Sequence, residues 1–203
     1  MKNMGLFEYD MHLRGSYPIL CGVDEAGRGP LAGPVCCAAV ILNKEYYSPA
    51  LNDSKKMSEK NRELVFQEII YTAIAYSIRF VFPDVIDQVN ILKATMLCMK
   101  DTITTLNVVP NLVLIDGNSI PDIHGIEIQP VIKGDSLSAS ISAASVLAKV
   151  TRDRYMLDLH EKYPMYQFDK HKGYPTKLHY EMIEKYGVQE FHRKSFLKKR
   201  GIT

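Results

Sequence analysis

The sequence predicts an α/β layer fold, with helices packed on a mixed β-sheet and a small, basic helical piece at the C-terminal end. Three observations lead there. Short apolar runs of strand length alternate with longer segments of helical period. The 203 residues, 46% hydrophobic and 24% charged, suit one domain with a core of its own. Charge is uneven: residues 149–203 hold 13 Lys and Arg against 7 Asp and Glu, whereas residues 1–148 hold 12 against 16.

In chain order, Pro18 to Asp24 reads as a buried strand ending in acid, and Pro34 to Leu42 as a second, with the glycine-rich loop Glu25 to Gly33 between them. Ser58 is an N-cap for a helix over Glu59 to Tyr71, on the spacing of Leu64, Val65, Glu68 and Ile69. Ala73 to Phe82 alternates as a strand, with Ile74, Tyr76, Ile78 and Phe80 on one face, and Pro83 stops it. Asp84 to about Leu106 reads as one helix with Ile91, Met96, Met99 and Ile103 on its core stripe. Leu112 to Asp116 is a short apolar strand and Ile126 to Val131 another; Leu137 to Lys162 is a long helix ended by Tyr163-Pro164. That break divides a core, residues 1–163, from a C-terminal subdomain, residues 164–203, with one helix over Thr176 to Tyr186 closed by Gly187.

Several classes drop out. No uncharged apolar stretch reaches the roughly 20 residues of a membrane span, and Glu8, Asp10, His12 and Arg14 break any signal-peptide order, so a cytoplasmic protein is expected. Cys21, Cys36, Cys37 and Cys98 have no metal spacing and suit buried reduced thiols. No internal repeat is present, and Gly27-Arg28-Gly29-Pro30 lacks both the P-loop and the dinucleotide pattern.

The chemistry is carried by acids. Asp24 and Asp116 each end an apolar strand, where open α/β sheets keep their ligand crevice. Glu25 follows Asp24, and Asp135 stands at the start of the long helix, where free N–H groups favour an anion. Each has a bland reading: Asp135 as an N-cap, Asp116 as a turn former before Gly117, Glu25 as a solvated loop residue. If all four converge, their repulsion calls for cations, and an all-oxygen set selects Mg2+ or Mn2+ over zinc. A pair of such ions is a standard device for phosphodiester hydrolysis.

Beyond spacing, Cys21-Gly-Val-Asp24-Glu25-Ala-Gly27-Arg28-Gly29-Pro30-Leu-Ala-Gly-Pro-Val resembles the signature of the ribonuclease HII family. Further matching segments follow in order: Asp53-Ser-Lys55-Lys56-Met57-Ser58, with Met where Leu is usual; Leu114-Ile-Asp116-Gly117; Lys133-Gly-Asp135; Ser140 to Asp153; His171-Lys-Gly-Tyr174-Pro-Thr176; and His192-Arg-Lys-Ser-Phe196. The resemblance implies a ribonuclease H-like mixed sheet flanked by helices, with residues 1–163 as catalytic core and the C-terminal subdomain completing the substrate site. It implies endonucleolytic cleavage of RNA in RNA–DNA hybrids and 5′ of single ribonucleotides in duplex DNA, with Mg2+ or Mn2+, giving a 3′-hydroxyl and a 5′-phosphate.

By the same carry-over, Asp24, Glu25, Asp116 and Asp135 are the metal-binding catalytic carboxylates. Gly27, Arg28 and Gly29 contact the ribose 2′-hydroxyl and flanking phosphates, and Tyr174 reads the ribose-to-deoxyribose junction. The 2′-hydroxyl is the group that tells RNA from DNA at a given position. Lys55, Lys149, Arg152, Lys170 and Lys172 are candidate phosphate contacts, with plain solvation or helix-face pairing as the alternative. His171, His179 and His192 have no matched motif role and are read as structural. The nucleic-acid partner is a hybrid or a ribonucleotide-containing duplex, and a monomer is the default. Three other readings compete: a ribonuclease HIII-like enzyme restricted to hybrids, disfavoured by the short segment before the first motif; a non-catalytic hybrid-binding module; and a small-molecule phosphatase using the same metals, which leaves the basic C-terminal segment and Tyr174 unexplained.

Overall fold

A computed structural model of the chain describes residues 5–52, 54, 57–198, 201 and 202. The central sheet has five strands: β1 (Leu20–Ala26), β2 (Val35–Ile41), β3 (Ala75–Val81), β4 (Leu112–Asp116) and β5 (Glu127–Val131), in the spatial order β3-β2-β1-β4-β5. The β2 strand is antiparallel to both of its neighbours, β3 and β1, whereas β1, β4 and β5 run parallel. Pro130 is tolerated in β5 because this strand lies at the sheet edge.

The helices are α1 (Leu6–Arg14), α2 (Glu59–Thr72), α3 (Pro83–Val89), α4 (Ile91–Thr104), α5 (Ala139–Lys162), α6 (Phe168–His171), α7 (Lys177–Tyr186) and α8 (Lys194–Lys198). Alternation along β2 sorts its side chains between two layers. Cys36, Ala38 and Val40 meet α2 and α5, while Val35, Cys37, Ala39 and Ile41 face the layer of α4. All four cysteines are buried and free, and burial pushes the Cys21 thiol up to about 12.

Small residues let α5 lie close on β1. A Cβ at Gly22 would stand 2.0 Å from the carbonyl carbon of Ser140, so only glycine fits beneath the first turn of α5. The same turn is fixed from the other side by α1. Asp10, 4% exposed, accepts hydrogen bonds from Ser138 Oγ at 2.6 Å, Ser140 N–H at 2.8 Å and Ser140 Oγ at 2.6 Å. Burial pushes the Asp10 carboxyl up, against the pull of these donors.

Four expectations are corrected. Residues 6–14, unassigned from sequence, form α1, tied to the core by Asp10. The helix expected over Asp84 to Leu106 is two helices, because Asn90 takes φ 71° and its side chain caps α4 through the Lys93 N–H at 3.1 Å. The long helix starts at Ala139 with Ser138 as N-cap, and Asp135 lies before it in a 3-10 turn, Gly134–Ser136. On β3, Ile78 and Phe80 pack on the core, whereas Ile74 and Tyr76 at the strand start are 51% and 41% exposed. The Ser58 N-cap of α2, by contrast, is observed, accepting the Asn61 N–H at 3.2 Å.

Past Tyr163 the chain wraps the second half of α5. Tyr166, Phe168 and Phe191 bury against Met156, Leu159 and Ala32, which brings residues 164–198 beside the loop after β1.

Candidate active site

Parallel pairing of β1 with β4, in the register Val23↔Ile115, sets Asp24 and Asp116 level at the carboxyl ends of neighbouring strands. There a cleft of about 340 Å3 opens, lined by Asp24, Glu25, Gly27, Arg28, Gly29, Ser54, Asp116, Ser145, Lys149 and Tyr174. Asp24 is 3% exposed and points toward α5, where Ser145 hydrogen-bonds it; its Oδ1 accepts the Glu25 N–H at 2.7 Å. Ser145 Oγ is also 2.9 Å from Ser54 Oγ. Burial, and then the charges of Glu25 and Asp116, push the Asp24 carboxyl well above the usual range, despite the Ser145 and Glu25 N–H donors.

Each acid is drawn to a local donor. Arg28 reaches Glu25 at 3.4 Å, and the Gly134 N–H donates to Asp116 Oδ1 at 2.6 Å. That last bond couples the end of β4 to the 3-10 turn that carries Asp135, which is 6% exposed and one residue beyond Gly134. Three of the four candidate carboxylates therefore line one cleft, with Asp135 beside it and not on its lining. Among the described residues no three His, Cys, Asp or Glu side chains already stand grouped as a metal cage. Asp24, Glu25 and Asp116 each engage an N–H, hydroxyl or guanidinium close by. The donor set fits a hard divalent cation, being all oxygen and including a buried carboxyl crowded by the charges of Glu25 and Asp116.

The loop after β1 is held from behind. Gly27 has φ 91°, and a Cβ there would lie 2.0 Å from Arg152 Nε, so glycine is required twice over. Gly29 lies under the Tyr174 ring, with 3.8 Å from a Cβ at this position to Cε1. Tyr174 itself is 40% exposed at the cleft mouth, and the Leu31 N–H to Gly173 carbonyl bond at 2.8 Å ties its segment to the loop.

The candidate phosphate contacts separate. Lys149 lines the cleft and also pairs with Asp153 at 2.9 Å. Lys170 and Lys172 lie off the cleft lining, the first paired with Asp169 at 3.0 Å and the second donating to the Asp169 carbonyl at 2.7 Å. Lys55 lies outside the described residues. Arg152 is corrected: it is 1% exposed, and its guanidinium is spent on the carbonyls of Pro34, Lys172 and Ala32 at 3.0, 3.1 and 3.2 Å. A guanidinium enclosed in this way braces the fold and has no face left for a phosphate.

The histidines form a buried relay beneath Tyr174. The Gln189 N–H donates to His192 Nδ1 at 2.9 Å, which makes His192 Nε2 the protonated nitrogen. His192 Nε2 lies 3.3 Å from His179 Nε2, and His179 Nδ1 lies 3.1 Å from the Tyr174 carbonyl, an acceptor. One arrangement satisfies all three contacts: His192 donates to His179, and His179 donates to Tyr174, both rings being neutral. Burial first, then the neighbouring imidazoles, depress His179 to about 4 and His192 to about 3. His171 completes the stack 4.4 Å from His179, bonded to the Tyr166 carbonyl and the Gly173 N–H.

The ribonuclease HII family model matches residues 21–199, nearly all of the chain. The chain belongs to the ribonuclease HII family. Among relatives, a Caldicellulosiruptor bescii ribonuclease HII is 52% identical over 186 residues, covering 92% of this chain and 90% of that protein. The crystal structure of ribonuclease H2 from Pyrococcus horikoshii OT3 superposes with a TM-score of 0.75 at 26% identity, over 90% of this chain and 96% of the other. A Bst ribonuclease HIII solved in complex with Mn2+ shares the fold, with a TM-score of 0.67 at 16% identity over 89% of this chain and 70% of that one.

The chain is thus a ribonuclease H-like hydrolase, a metal-dependent endonuclease of a family acting on RNA–DNA hybrids. No helix among the described residues is long and apolar enough to cross a membrane. Sequence reasoning left three parts of the site without a role. Ser145 stood inside a quoted motif, but its contact with Asp24 depends on how α5 crosses β1. Asp10 gave no signal, since an acid in a polar N-terminal stretch reads as solvated. Arg193 stood in the His192 to Phe196 motif, yet in sequence it looks like one more basic residue in a basic tail.

Proposed function

We propose that this ribonuclease HII cuts the RNA strand of RNA–DNA hybrids and also the phosphodiester 5′ of a single ribonucleotide in duplex DNA, leaving a 3′-hydroxyl and a 5′-phosphate. The supporting observation is the single cleft that gathers Asp24, Glu25 and Asp116 with the Gly27–Gly29 loop and Tyr174. Asp24, Glu25, Asp116 and Asp135 would hold Mg2+ or Mn2+; bound as a pair, such ions activate the attacking water and stabilise the leaving 3′ oxygen during in-line displacement.

The remaining work falls to the protein. The Gly27–Gly29 backbone and Arg28 take the ribose and its phosphates, Tyr174 stacks at the junction, and Lys149 meets backbone charge. Discrimination arises because a deoxynucleotide leaves polar groups of this loop without the partner they are built to bond. The C-terminal residues 164–203 act as a subdomain that completes the site by presenting Tyr174.

The test is cleavage of an end-labelled DNA duplex containing one ribonucleotide, with Mg2+, Mn2+ or chelator, beside an all-DNA duplex and a hybrid. A metal-dependent single cut 5′ of the ribonucleotide is the expected result. Cleavage of the hybrid alone would limit the enzyme to HIII-like action, and binding without cleavage would reduce it to a hybrid-binding module.

A further inference from the structure

Two arginines are enclosed behind the substrate loop, and among the described residues neither forms an ion pair. Arg193 is fully buried, and each of its nitrogens is aimed at a main-chain carbonyl: Nε at Gly33 at 3.0 Å, Nη1 at Arg28 at 2.9 Å and Nη2 at Gly27 at 2.6 Å. Its position is over-determined. The Arg193 N–H donates to the Leu31 carbonyl at 2.7 Å, its guanidinium carbon lies 5.3 Å from the centre of the Phe196 ring, and Asp87 caps the next two residues through Lys194 N–H and Ser195 N–H.

The consequence follows from peptide geometry. In a trans peptide the N–H points opposite to the preceding carbonyl, and this chain has no cis bond among its described residues. With the Gly27 and Arg28 carbonyls turned inward to Arg193, the N–H groups of Arg28 and Gly29 are turned outward, toward the cleft that these two residues line. Successive N–H groups of this kind make a concave donor for an anion or hydroxyl oxygen. Gly27 at φ 91° supplies the bend that brings both carbonyls round to the same guanidinium.

We propose that Arg193 is the positioning residue for ribose selection: by holding the Gly27 and Arg28 carbonyls inward, it fixes the Arg28 and Gly29 N–H groups as a paired donor facing the ribonucleotide. This rests on the function proposed above and adds to it a residue that never touches substrate. Lysine cannot replace it, because an ammonium on a flexible stem does not span three carbonyls in one plane.

The test compares wild type, Arg193→Lys and Arg193→Ala on the single-ribonucleotide duplex, with Kd for an all-DNA duplex measured alongside. Arg193→Lys is expected to lose about 10²-fold in kcat/KM on the ribonucleotide duplex, as for a misplaced binding group, with the all-DNA Kd unchanged. Millimolar guanidinium is expected to restore Arg193→Ala by about tenfold or more, while leaving Arg193→Lys and wild type unmoved. A merely structural role would not respond to added guanidinium and would weaken both duplexes together.

Wild-type turnover by Arg193→Lys, equal losses on both duplexes, or a folded Arg193→Ala that guanidinium does not rescue would each overturn the proposal. Should Arg193→Ala fail to fold, Arg193→Lys alone decides through its split between cleavage and all-DNA binding. A wild-type enzyme that ignores the ribonucleotide would instead refute the function on which the inference rests.

Discussion

Replacing His192 by Asn should remove a defined share of the acid sensitivity of this protein. A buried histidine with a depressed pKa takes its proton only in the unfolded chain, between the unfolded value of about 6.5 and the folded one. The unfolded state therefore binds more protons in that window, and stability falls as pH falls through it; above about pH 6.5 the effect is absent. His192 is depressed to about 3 and His179 to about 4, so both stay neutral in the fold at pH 5. Each then loses about 1.4 kcal/mol per pH unit over roughly 1.5 units, or about 2 kcal/mol at pH 5 relative to pH 7.5. The pair together loses about 4 kcal/mol, against a total stability of about 5–15 kcal/mol for a typical domain.

The charged and titratable groups facing this cluster are His171, Asp169 and Lys172, all common to both proteins. Asp10 and Asp24, whose carboxyls are pushed up, contribute with the opposite sign: their stabilisation is present at low pH and is lost as pH rises through the folded value. They too cancel when variant and wild type are compared. Asn at 192 keeps an acceptor for the Gln189 N–H that His192 now accepts. Urea unfolding of both proteins at pH 7.5, 6.5, 5.5 and 5.0, in chelator, should give a difference in ΔG that shifts by about 2 kcal/mol in favour of the variant between the two ends. A difference that stays constant across this range would refute the neutral relay beneath Tyr174.

Three more outcomes follow from the same contacts. Asp24→Asn should abolish turnover yet raise Tm in chelator, since it removes a buried charge opposed by Glu25 and Asp116 while keeping an acceptor for the Glu25 N–H; a lowered Tm with chelator present would contradict that account. Gly22→Ala should cost about 3 kcal/mol or more in urea unfolding, because its Cβ would meet α5 backbone at 2.0 Å, and wild-type stability would mean that α5 can lift from β1 freely. Tyr174→Ala should damage cleavage at a single ribonucleotide more than it weakens binding of an all-DNA duplex, measured by paired kcat/KM and Kd. Equal losses would make Tyr174 a general contact.

Much of the site was legible because strand ends are legible. An apolar run that stops in Asp, as at Asp24 and Asp116, announces a buried strand delivering a carboxylate at its carboxyl end, and parallel pairing then sets the two level. The motif residues Gly27, Arg28, Gly29 and Tyr174 likewise fall on one cleft although they are far apart in the chain. What failed was anything decided by enclosure. Arg152 and Lys149 stand on the same helix, three residues apart, and read alike as basic; one is buried under three carbonyls and the other reaches the cleft. Asp135 reads as the start of a helix, but its neighbour Gly134 is committed to Asp116 and holds the turn short of α5.

By itself the sequence determined the family, the fold class and the acids at the strand ends, because period, turn chemistry and linear motifs are local properties that survive without coordinates. Only the tertiary structure decided which charges are spent inside the protein and which face the cleft. Burial depends on what packs from elsewhere in the chain: α1 brings Asp10 to the first turn of α5, Gly22 lets that helix sit against β1, and Arg193, 166 residues from Gly27, holds the carbonyls of the loop after β1 from behind.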